Sequence, residues 1–163
     1  MIRKFMTLCV AGAALCGLAV AEPSRAEQIA RAYMDAYSAG DWDTMAAYMD
    51  EDVVFVDQTN PDPDFQPEYH GPDEALSMLR AFGDQYGLIE LGFDFPVIFE
   101  SNNRVVFSGF VNSYTAPPGA DFAYKWHARQ VSVVTIEGEK VVRHEDFADY
   151  GSQMVTQLPR PAE

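Results

Sequence analysis

The spacing of apolar residues along this chain changes once, near Gly83, and that change restricts the fold more than any other feature. Before it the spacing is helical. Ser24 with Glu27 three residues later predicts a capping box, followed by Ile29, Tyr33, Ala36 and Tyr37 on one face and Gly40 as a stop. Asp41 predicts the N-cap of a second helix with the stripe Trp42, Met45, Ala46 and Met49. Residues 53–57 form a short strand of β-formers, and 58–71 is a proline-rich loop or lid. Pro72 suits the first turn of a third helix that carries Ala75, Leu79 and Phe82 inward.

After Gly83 apolar residues alternate. Ile89, Leu91, Phe93 and Phe95 share one strand face, and long strands follow over 104–114, 122–136 and 140–147. Turns are expected at Ser101-Asn102-Asn103, Pro117-Pro118-Gly119 and Glu137-Gly138-Glu139, and Asp149 is placed to cap a short final helix. Helices first and strands after predict an α+β fold. A curved sheet wrapped by three N-terminal helices leaves one apolar pocket between the two layers.

The N-terminus predicts export. Arg3 and Lys4 precede an apolar run over 8–20, and Ala19-Val20-Ala21 is a small-x-small cleavage signal, so 1–21 reads as a signal peptide and 22–163 as one domain. The run is short for a permanent bilayer anchor, so no membrane association is expected after cleavage, and the product is periplasmic or secreted. Cys9 and Cys16 both lie in the leader, which leaves the mature chain without a thiol. Removing Arg3 and Lys4 from a chain with 11 basic and 25 acidic residues leaves a net charge of about −16. A surface that acidic repels phosphate backbones, which excludes nucleic acid and leaves small apolar, aromatic or cationic molecules as partners.

Four segments carry a resemblance to a known superfamily: Tyr33-Met34-Asp35-Ala36-Tyr37-Ser38-Ala39-Gly40-Asp41-Trp42, Asp50-Glu51-Asp52-Val53-Val54-Phe55, His70-Gly71-Pro72-Asp73-Glu74-Ala75, and the closing run from Lys140 through His144-Glu145-Asp146 to Asp149. Together they resemble the nuclear transport factor 2-like superfamily, with its SnoaL-like polyketide cyclases and ketosteroid isomerases. The resemblance implies a cone-shaped, curved mixed β-sheet wrapped by three helices. It also implies pairing of two copies through the outer sheet face, hence a homodimer. In ketosteroid isomerases a tyrosine placed like Tyr33 stabilises the enolate oxygen, and an aspartate placed like Asp57 is the base. The third member of that site, a carboxylic acid, falls here near Gln130 or Ser132, neither of which is one. In SnoaL-like cyclases a single aspartate acts as acid and base, a part open to Asp57 or Asp146.

The residues themselves allow a chemical and a structural account of each position. If Val142 points inward, strand alternation puts His144 and Asp146 on the same cavity wall, where carboxylate and imidazole suit acid–base work. The strand can equally turn the other way. Tyr33 is either an oxyanion donor or a packed core residue with a satisfied hydroxyl. Asp57 ends an apolar strand, and is either a base or the cap of the following turn. Trp126 belongs to the core and pocket wall, with Gln130, Ser132 and Val142 as further ligand-contacting positions. His70 is expected at the start of the third helix and His127 on the outer sheet face. Three histidines without ligand spacing make no metal site, and the chain has no P-loop or dinucleotide-binding glycine motif, so neither metal nor cofactor is expected. The reading that follows is an exported, cofactor-independent isomerase, lyase or cyclase acting on a small apolar or aromatic carbonyl compound, with Asp57, Tyr33, His144 and Asp146 as its catalytic groups. A non-catalytic domain of the same fold that binds a hydrophobic ligand or associates with protein is the alternative.

Overall fold

The computed structural model describes residues 22–58 and 67–161. The leader with its two cysteines, and most of the proline-rich loop, lie outside the described residues. Ser24 caps α1 (Arg25–Ala39) by accepting from the Glu27 N–H at 3.0 Å, and Gly40, at φ 65°, ends it. The Glu27 carboxylate pairs with Arg31, one turn on. Asp41 caps α2 (Trp42–Tyr48), accepting from both the N–H and the hydroxyl of Thr44. Such caps each stabilise a helix end by about 1 kcal/mol. α3 (Gly71–Tyr86) starts after His70, whose side chain makes no capping bond, and buries Ala75, Leu76 and Leu79. Among the described residues no helix is long and apolar enough to cross a membrane.

Six strands form one open sheet: β1 (Met49–Asp57), β2 (Glu68–His70), β3 (Leu88–Ser101), β4 (Arg104–Thr115), β5 (Phe122–Glu137) and β6 (Lys140–Pro159), in the order β2-β1-β6-β5-β4-β3. Every pair is antiparallel except β1 with β6, which makes the sheet mixed. This is the curved α+β cone. Its core lies between the helices and the concave sheet face, where Ile29, Tyr33, Met45, Phe55, Phe107 and Val134 are all nearly or fully buried.

Irregular positions in the long strands decide which side chains turn inward. β3 skips between Leu88 and Glu90 in its pairing with β4, so Ile89 is the extra residue and stands half exposed, while Leu88 faces inward in its place. A second bulge separates Asp94 from Val97 opposite Gly109. A Cβ on Gly109 would lie 1.9 Å from the Asp94 carbonyl oxygen, so only glycine fits there. In β6 the partner of Ile136 is Val141 and the partner of Thr135 is Arg143, which leaves Val142 as the extra residue. Val141 and His144 both turn inward as a result. The chain after Asp149 is not the short helix expected from sequence. β6 resumes pairing at Met154 and runs to Pro159, and Asp149 instead closes a local turn by accepting from the N–H and hydroxyl of Ser152.

Candidate active site

Strand alternation sets up the site. On β5, Trp126, Ala128 and Gln130 point to the concave face, and Ser132, Val134 and Ile136 continue that face into the core. On β6 the same face carries His144, Asp146, Ala148 and Tyr150. Register then fixes the neighbours of Asp146: Ser132 lies directly across on β5, and Asp57 is its parallel partner on β1. Phe55 is likewise the partner of His144, with ring centroids 4.5 Å apart.

These groups form a buried chain of hydrogen bonds. The Tyr33 hydroxyl is 2.9 Å from His144 Nδ1, and His144 Nε2 is 3.0 Å from Asp146 Oδ1. The Ser132 hydroxyl donates to the same Oδ1 at 2.5 Å, and the Gln130 amide donates to it at 2.9 Å and to the Ser132 oxygen at 2.9 Å. One tautomer satisfies every member: Nε2 carries the hydrogen and donates to Asp146, while bare Nδ1 accepts from Tyr33. Tyr33, Ser132 and His144 are fully buried. Among the described residues all the side-chain bonds of Asp146 fall on Oδ1, which leaves Oδ2 for an incoming group.

Asp146 lines a cavity of about 380 Å³ between the sheet and the helices. Its walls are mainly apolar and aromatic: Trp42, Phe55, Phe82, Tyr86, Phe93 and Trp126, with Met78, Leu79 and Leu91. Polar side chains are fewer: Tyr37 on α1, Asp57 on β1, Ser113 and Thr115 on β4, Gln130 on β5, and Asp146, Tyr150 and Gln153 on β6. Phe82, half exposed, stands against Tyr86 at the rim. The Trp126 indole is held by donating to the Thr115 hydroxyl at 3.2 Å.

Of the side chains singled out from sequence, Asp57, Asp146, Trp126 and Gln130 reach the cavity wall. His144, Ser132 and Tyr33 stand immediately behind Asp146 and touch the cavity through it. Val142 lies in the bulge and contributes nothing to the wall. His127 stacks on Phe110 and bonds Asn112, away from the cavity. Sequence reasoning passed over Tyr37 as a core residue. It lies one turn after Tyr33 on the same stripe, is 8% exposed and lines the cavity, and among the described residues its hydroxyl has no hydrogen-bond partner. The i, i+4 spacing of the two tyrosines was the available signal.

Both phenols are pushed well above the usual tyrosine value of 10.0, first by burial and then by the charge of Asp146, with Asp57 adding to the effect on Tyr37. Both therefore stay protonated as donors through the neutral range. A raised folded-state pKa in an acid means the folded chain keeps its proton where the unfolded chain has lost it. The stabilisation is complete below about pH 10 and is lost as pH rises through the folded values. The unfolding free energy from denaturant titrations is accordingly expected to hold from pH 7 to 9 and fall above pH 10, by up to about 1.4 kcal/mol per pH unit for each tyrosine. Tyr37→Phe should make that alkaline slope shallower.

Comparison with known proteins came down on one family. The SnoaL-like domain model matches residues 30–144. Two solved structures, candidate SnoaL-like polyketide cyclases from Shewanella putrefaciens CN-32 and Shewanella denitrificans OS-217, superpose with TM-scores of 0.69 and 0.68 at 22% and 21% identity. The first covers 80% of this chain and 94% of its own, the second 78% and 92%. The ECF RNA polymerase sigma factor SigJ of Mycobacterium tuberculosis (strain ATCC 25618 / H37Rv) is 28% identical over 130 residues, 78% of this chain. The chain spans only 38% of the length of that relative.

Proposed function

Because the chain belongs to the SnoaL-like domain family and lines an aromatic cavity with two neighbouring carboxylates, we propose that it is a small-molecule enzyme. The reaction is a cofactor-independent proton transfer of isomerase, lyase or cyclase type on an apolar or aromatic carbonyl compound. The observation that carries this reading is Asp146. Three donors fix its Oδ1, so a proton it takes up goes to Oδ2, and the residue lines the cavity. In this reading Asp146 takes a proton from the carbon beside the carbonyl. Asp57, its strand neighbour and the base expected from sequence, exchanges the second proton. Tyr37, protonated and on the wall, takes the part of donor to the developing oxyanion that sequence gave to Tyr33. Tyr33 holds the His144 tautomer from behind.

The test begins with mass spectrometry of small molecules that co-purify with the protein. A recovered carbonyl compound is expected to exchange hydrogen for deuterium beside its carbonyl in D₂O, faster with protein than without. A compound that binds tightly yet never exchanges or turns over would make this a hydrophobic-ligand-binding domain instead.

Export and pairing belong to the same proposal. The outer sheet face carries exposed Val97, Phe99 and Phe147 beside the Phe110–His127 stack, an apolar surface suited to a second copy of the chain. The protein recovered from the exported fraction is expected to begin at Glu22, to take up no thiol label and to scatter light as a dimer at tens of micromolar, roughly the range in which a tight pair persists. A labelled product would count against cleavage, and a monomer against pairing.

A further inference from the structure

The cavity wall is built for positive charge. No lysine, arginine or histidine side chain lines its described wall, while Asp146 and its neighbour Asp57 both do. Asp146 is 7% exposed, and its Oδ2 receives no hydrogen bond from a described residue. Tyr37 brings a second, independent sign of a missing ligand: a hydroxyl on a side chain 8% exposed, on the same wall, with no partner among the described residues. Both groups line the cavity, so an occupant that carries hydrogen-bond donors can satisfy them. Aromatic rings stand around them. Tyr37 is 5.2 Å from Phe93 and 6.3 Å from Trp42, all three on the cavity wall, and a ring whose face meets an ammonium attracts it.

We propose that the ligand of this cavity carries an ammonium group on an apolar or aromatic body, held by the charge of the Asp146 and Asp57 carboxylates and with an N–H donating to the Tyr37 oxygen. The inference rests on the cavity being the reaction site, but not on the reaction itself. It adds that the positive charge needed beside an enolate comes with the substrate, since the described wall supplies none.

Three probes that share one body decide it: 2-naphthylmethylammonium, 2-naphthylmethanol and 2-naphthoate, titrated calorimetrically into the purified full chain. The ammonium is expected to bind at least tenfold more tightly than the alcohol, and the carboxylate most weakly. That preference should survive 0.5 M salt, because a pair inside a cavity is screened far less than attraction to an acidic surface. Asp146→Asn and Asp57→Asn should each lower the ammonium-to-alcohol ratio several-fold. An alcohol that binds as tightly as the ammonium, a ratio unchanged in both variants, or no binding of any probe overturns the inference. None of those results bears on deuterium exchange, and failure to find exchange leaves the charge preference standing.

Discussion

Asp146→Asn is expected to lower turnover by about 10²–10⁴-fold while leaving folding nearly unchanged, the range usual for loss of a general base. The substitution is close to isosteric. The asparagine oxygen can occupy the Oδ1 position and still accept from Gln130, Ser132 and His144, and its amide then takes the place of Oδ2. What is lost is the ability to take up a proton there. Fluorescence of Trp42 and Trp126, both on the wall, should report unaltered packing and similar affinity for a neutral ligand. Asp57→Asn provides the comparison. If Asp57 alone is the base, its variant loses turnover and Asp146→Asn retains most of it. If the two share the work, each variant is severely impaired and the double variant is little worse than either, because groups acting on one transition state are not additive. Retained turnover in both variants would remove proton transfer by this pair from the mechanism.

The fold was legible because its signals are periodic and its ends are chemically marked. Ser24, Asp41 and Gly40 start and stop helices for reasons that need no tertiary context, whereas α3 runs through Gly83 and is ended by Gly87, after which the alternation of β3 begins. Bulges were not legible. Nothing in Leu88-Ile89-Glu90 or Val141-Val142-Arg143 announces which residue is the extra one, because the choice depends on the partner strand. The expectation that Val142 shares a face with His144 therefore lost its premise, while His144 and Asp146, lying beyond the bulge, kept their two-residue spacing and faced the interior together. The expected helix after Asp149 is a similar case. An aspartate with Ser152 three residues later has the same local chemistry in a turn as in a cap, and pairing of Met154 to Pro159 with β5 settled the matter. The two tyrosines of α1 show the limit for the site itself. Spacing puts Tyr33 and Tyr37 on one stripe, but which hydroxyl meets His144 and which meets the cavity depends on how the helix sits on the sheet.

His144→Leu is expected to cost about 3–5 kcal/mol of stability, from the loss of a hydrogen bond to a charged group, about 1.5–3, together with about 1–3 for the orphaned Tyr33 hydroxyl. For a chain of this size that corresponds to a fall in melting temperature on the order of 10 °C or more. Leucine fills the space beside Phe55, Tyr33 and Tyr37, so little packing is lost. The cost comes from polar groups. Asp146 keeps Ser132 and Gln130 but loses one of its three donors, and the Tyr33 hydroxyl is left without an acceptor in a place water does not reach. That second part can be isolated. Tyr33→Phe alone removes a donor from Nδ1 and should cost about 1–2 kcal/mol. Added to His144→Leu, it removes an orphaned hydroxyl instead, and should restore stability. The double variant is therefore expected to be more stable than the two single costs predict, by about 1–3 kcal/mol in a double-mutant cycle. Strict additivity would mean that Tyr33 and His144 are merely neighbours in the core, and that the chain behind Asp146 does not act as a unit.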